Sequence, residues 1–100
     1  MPKLNIVRSH GKTLAEAKIK VKSLVDKTVE KYPRLIDKVD WNGDQTRAEV
    51  RGKMFEGFFE VDASKVLIKL ELGLLAAPFM GSVQNKIERQ IEQEFGPEPA

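Results

Sequence analysis

Cysteine is absent from the sequence, so the fold uses no disulfide, offers no thiol nucleophile and builds no thiolate metal site. Histidine, tryptophan and tyrosine occur once each. A lone imidazole at His10 has no second histidine to complete a metal set. None of Ser9, Ser23, Ser64 and Ser82 lies in a Gly-x-Ser-x-Gly elbow. Gly43, Gly52 and Gly57 are scattered through hairpin segments, where turns and bulges use them, and form no phosphate loop. Charge of one sign is lacking as well. The 17 basic and 15 acidic residues leave +2, too balanced to point to nucleic acid or an anionic membrane. No window approaches the roughly 18 uninterrupted apolar residues of a bilayer span, and residues 1–8 carry no apolar core of secretory length. The cytoplasm is the expected location.

What is present suits one soluble domain. A chain of 100 residues, 41% hydrophobic and 32% charged, buries roughly two-thirds of its unfolded surface, enough for one core. The expected domain spans residues 1–95, with residues 96–100 a frayed tail because Pro97 and Pro99 exclude helix. Residues 3–8 alternate as a strand, with Leu4 and Ile6 on one face. Thr13-Leu14-Ala15-Glu16 is a capping box. After it Leu14, Ala17, Val21, Leu24, Val25, Thr28 and Tyr32 recur at steps dominated by three and four, the apolar face of a helix that Pro33 ends. Residues 37–41 and 46–53 read as a strand pair joined by Asn42-Gly43, a tight hairpin signal. Phe55, Gly57, Phe59 and Val61 form the inner face of the next strand, and Val66, Ile68, Leu70 and Leu72 that of the last. Lys69 and Glu71 mark the opposite face as wet, which argues for an antiparallel sheet. Ser82 reads as the N-cap of a final helix carrying Val83, Ile87, Ile91 and Phe95. The expected fold is α+β, β-α-β-β-β-β-α, with both helices on one face of the sheet and strand order left open.

One connection breaks the usual rule. Leu74-Leu75-Ala76-Ala77-Pro78-Phe79-Met80 is wholly apolar, whereas connections normally run polar over the surface. It is either buried by its own fold or meets something apolar outside it. Phe58, Met54 and Leu67 fall on the outer sheet face by parity, among Glu56, Glu60, Lys69 and Glu71. That local patch suits a dimer seam or a docking surface, or cover by the Leu74–Met80 connection folding back.

Several segments together resemble the polyhydroxyalkanoic acid system family of small bacterial proteins. They are Ile6-Val7-Arg8-Ser9-His10, Leu14-Ala15-Glu16-Ala17, Trp41-Asn42-Gly43-Asp44 and Gly57-Phe58-Phe59-Glu60-Val61. Leu70-Glu71-Leu72-Gly73-Leu74-Leu75 with Pro78-Phe79, the most specific part, and Ile87-Glu88-Arg89-Gln90-Ile91 complete the match. Met80 stands where that pattern usually has a basic residue. The resemblance implies a non-enzymatic accessory role in bacteria that store polyester granules, with the granule surface or granule-associated proteins as partners.

The candidate apolar interaction surface is Leu74, Leu75, Phe79, Met80 and Phe58. The alternative is a small domain that binds an acyl chain between sheet and helix, in a pocket lined by Leu24, Val25, Phe59 and Ile68. A homodimer is compatible with either. No catalytic, cofactor-binding or metal-binding residues are assigned. His10 reads as a capping or packing residue rather than a base. Trp41 reads as a cross-strand packing residue, with stacking on a ligand as its rival reading. Lys18, Lys20, Lys22, Lys27 and Lys31 read as a solvated face partly neutralised by Glu16, Asp26 and Glu30, with attraction to an acidic partner as theirs.

Overall fold

The α+β architecture follows the expected element order. The computed structural model describes residues 3–34, 36–53, 55–73 and 77–97. Along them run β1 (Lys3–Ser9), α1 (Leu14–Lys31), β2 (Lys38–Trp41), β3 (Arg47–Arg51), β4 (Phe55–Val61), β5 (Lys65–Leu72), a 3-10 turn (Ala77–Phe79) and α2 (Met80–Phe95). The five strands form one sheet in the order β1-β5-β4-β3-β2, every neighbouring pair antiparallel. β1 therefore lies beside the last strand. α1 carries the chain across the sheet, so that β1 and β2 become the two edges.

Alternation decides which sheet face is dry. Leu4 and Ile6, Ala48 and Val50, Phe55, Phe59 and Val61, and Val66, Ile68, Leu70 and Leu72 are all buried on the inner face. They form one cluster with Ala17, Val21, Leu24 and Val25 of α1 and Val83, Ile87, Ile91 and Phe95 of α2. Both helices thus share the same side of the sheet. The strict four-residue spacing in α2 suffices because the helix needs only a narrow stripe against this layer.

α1 begins at the predicted cap. The Glu16 amide donates to Thr13 Oγ1 at 3.2 Å, and the Thr13 hydroxyl also reaches Glu16 Oε1 at 3.3 Å. That second contact replaces the return bond to the Thr13 backbone which a full capping box would make. Tyr32 closes the helix by donating its amide to the Thr28 carbonyl at 3.0 Å, immediately before Pro33.

Three local expectations are corrected. Leu14 is an exposed residue rather than part of the buried stripe, because the first helical position lies beyond the reach of the sheet. The Asn42-Gly43 signal does not make a two-residue hairpin. Gly43 has no positive φ, and the left-handed residue is Gln45 at φ 58. Asn42 accepts from the Gln45 amide at 3.1 Å through its carbonyl. Its Oδ1 takes the amides of Thr46 and Arg47 at 2.9 and 3.1 Å, which widens the loop to residues 42–46. Finally, α2 starts at Met80, two residues before Ser82. Phe79 occupies the N-cap, and no side chain caps the helix.

Gly57 is the tightest point of the sheet. A Cβ there would lie 2.0 Å from the Lys69 carbonyl oxygen, so β4 and β5 approach as only a glycine permits. At the far end of the chain, Gly96 ends α2 with φ 75, and its carbonyl accepts from Arg8 Nη2 at 3.0 Å.

Candidate interaction surface

The apolar connection leaves β5 at Gly73. Leu74 and Leu75 lie outside the described residues, as does Met54. The chain resumes as the Ala77–Phe79 turn, with the Ala77 amide donating to the Gly73 carbonyl at 3.1 Å. Phe79 then stands at the head of α2 with 62% of its surface in water. A phenyl ring has no oxygen for the free amides of the first helical turn, so this N-cap position does not use its side chain for capping. Met80, its neighbour, is half-buried and packs against the core. The connection therefore splits: Met80 anchors it, and Phe79 remains presented.

Phe58 belongs to a different layer. It lies on the outer sheet face, half-buried, opposite Lys69 of β5 and Glu49 of β3. The Arg47 guanidinium sits 3.8 Å from its ring centroid and also reaches Glu60 at 3.3 Å and Glu49 at 3.6 Å. One face of the ring is thus already covered by a cation held between two carboxylates. The structure places Phe58 and Phe79 on opposite layers of the fold.

Sequence reasoning passed over Val7. It lies 60% exposed on the outer face of β1, directly opposite Leu67 of β5. Leu67 is half-buried, and its strand neighbour Lys69 pairs with Phe58. Parity alone, with Leu4 and Ile6 inward, would have found it. Nearby, a cleft of about 380 Å3 opens on this face, bounded by Lys3, Asn5, Glu56, Phe58, Lys69 and Glu71. On α1, Ile19 is left in water at 71% exposure, and Leu14 is exposed as well.

The structure also places the remaining candidates that it describes. His10 is buried. Its Nδ1 accepts from the Lys12 amide at 2.9 Å, so Nε2 carries the proton and donates to the Asp62 carbonyl at 2.8 Å. The ring also stacks on Phe95 at 6.0 Å between centroids. His10 thereby ties the residues before α1, the β4–β5 turn and the end of α2 together, the packing half of its expected role, while Thr13 caps the helix. Asp62 accepts from the Ser64 and Lys65 amides at 2.8 and 2.6 Å, and these bonds hold its carboxyl below the usual range.

Leu24, Val25, Phe59 and Ile68 meet in the core, each sealed from solvent. The lysines of α1 are partly answered by acids: Lys22 pairs with Asp26 at 3.3 Å, and Lys27 pairs with Glu94 of α2. Trp41 packs partly against the core as the cross-strand neighbour of Ala48, and its open side borders a small cleft with Lys18, Lys22 and Gln45.

Among the described residues, no group of three or more histidines, cysteines or acids is placed to hold a metal ion, and no helix is long and apolar enough to cross a membrane. A family model described as putative polyhydroxyalkanoic acid system protein matches residues 4–95. No curated protein and no solved structure matches the chain.

Proposed function

The chain belongs to the polyhydroxyalkanoic acid system family, and we propose that it is a non-enzymatic accessory protein of polyester storage that attaches to granules, or to granule-associated proteins, through an apolar surface headed by Phe79. The observation that carries this reading is Phe79 itself, 62% exposed on a connection without a single charge between Gly73 and Gly81. A phenylalanine-sized group gives about 1.5–3 kcal/mol when fully buried. Leu74 and Leu75 of the same connection would add to that before the costs of association are met. A folded domain with a sealed core and a presented apolar tip suits docking better than turnover.

The rival reading, an acyl chain held between sheet and helix, requires Leu24, Val25, Phe59 and Ile68 to part from one another. They are closed together at no more than 1% exposure. Opening that layer would cost the packing that holds the domain.

Sedimentation with isolated granules tests the proposal. Replacing Leu74, Leu75 and Phe79 by serine should release the protein into the supernatant while its circular dichroism stays unchanged. A folded variant that still pellets with the granules removes the reading.

A further inference from the structure

We propose that the cleft between α1 and the β2–β3 loop binds a small carboxylate with a short aliphatic body. The cleft measures about 80 Å3 and is lined by Lys18, Lys22, Trp41 and Gln45. That is the room of a few water molecules at roughly 30 Å3 each, matching a carboxylate with a few carbons.

Each lining residue supplies one part of such a site. Lys18 and Lys22 are one helical turn apart on the same flank of α1, and both side chains line the same opening. Trp41 is half-buried against the core, and the rest of its indole forms an apolar wall. Gln45 contributes an amide that both donates and accepts. Its φ of 58 is a left-handed conformation that glycine adopts freely and an L side chain adopts seldom. The Asn42 turn holds it there, with the Gln45 amide on the Asn42 carbonyl at 3.1 Å. Asp26 reaches Lys22 across 3.3 Å with both side chains 62% exposed, so solvent screens the pair and leaves Lys22 available.

Two positive groups beside an aromatic wall favour an anion that carries carbon. Inorganic phosphate would satisfy the lysines and leave the indole uncovered, whereas a neutral alcohol would do the reverse. The site shares no residue with the Phe79 surface and stands or falls independently of granule attachment.

Trp41 is the single tryptophan, so the intact chain reports occupancy through its own fluorescence. Titration with 3-hydroxybutyrate should give a saturable change, and the methyl ester and inorganic phosphate should give none over the same range. Lys18→Met and Lys22→Met should each weaken the apparent affinity about fivefold, the size of one partly screened charge contact. Phe79→Ser should bind as the parent does. Absence of saturation, equal binding of the ester or of phosphate, or lysine variants that bind like the parent would each overturn the proposal.

Discussion

Gly57→Ala should cost this domain much of its stability. The residue sits in the middle of β4, opposite Val50 of β3 and Leu70 of β5. Its new Cβ would fall 2.0 Å from the Lys69 carbonyl oxygen, 2.8 Å from Leu70 Cα and 2.9 Å from the Lys69 carbonyl carbon. A relaxed carbon–oxygen contact needs about 3.3 Å. The two strands would therefore have to separate by more than an ångström, and all three obstacles are backbone atoms that cannot rotate away. Separation removes one or two ladder hydrogen bonds at about 1 kcal/mol each, and residual crowding adds about 1–3 kcal/mol. The expected loss is about 2–5 kcal/mol, a large part of the roughly 5–15 kcal/mol typical of a domain. At roughly 4–8 °C per kcal/mol for this size, the midpoint should fall by roughly 10–40 °C. Urea and thermal unfolding followed by circular dichroism measure this directly. Gly43→Ala is the control, because nothing lies within 4 Å of its new methyl group. If Gly57→Ala unfolds within about 1 kcal/mol of the parent, the close approach of β4 and β5 is not a constraint and the reasoning fails.

Three further outcomes are expected. Gly81→Ala, in the first turn of α2 with open space around its Cβ and no positive φ, should stabilise by about 0.4–1 kcal/mol through the unfolded chain, and an unchanged or lower melting midpoint would contradict this. His10→Ala leaves the Lys12 amide and the Asp62 carbonyl without their side-chain partner and removes the contact with Phe95; urea unfolding should show a loss of about 2–4 kcal/mol, and a surface-like effect would deny the residue its tying role. Asp62 has a carboxyl held low by the Ser64 and Lys65 amides, so its contribution is present above the unfolded carboxyl range near about 3.9 and is lost as pH falls through the lower folded value. The stability gap between parent and Asp62→Asn should therefore exist at neutral pH and close in acid, and a gap that widens in acid would reverse the assignment.

Much of the fold was legible because burial on one face writes a period into the chain. The inner positions of β4 and β5 and the four-spaced stripe of α2 are all where alternation and helical spacing put them. The family, too, was legible from segments spread along nearly the whole chain. What failed was local. Asn-Gly is a strong turn signal, yet Asn42 used its side chain to accept from the amides of Thr46 in the loop and Arg47 at the start of β3, and the left-handed residue moved to Gln45. Ser82 resembled a cap, but the apolar connection turned into helix at Met80 before reaching it. Both misses have one cause: several local hydrogen-bonding solutions differ by about 1 kcal/mol, and neighbours from elsewhere in the chain choose among them.

The sequence by itself determined the class of the molecule, the inward residues of β1, β4, β5 and α2 and most of those of α1, and the exclusion of disulfide and thiolate chemistry, since these depend on residue type and period alone. Tertiary structure decided the strand order, the separation of Phe58 from Phe79 onto different layers, and the meeting of Lys18, Lys22, Trp41 and Gln45 around one cleft. Those are relations between residues far apart in the chain. Periodicity says which way a side chain faces and carries no information about which other segment it will face.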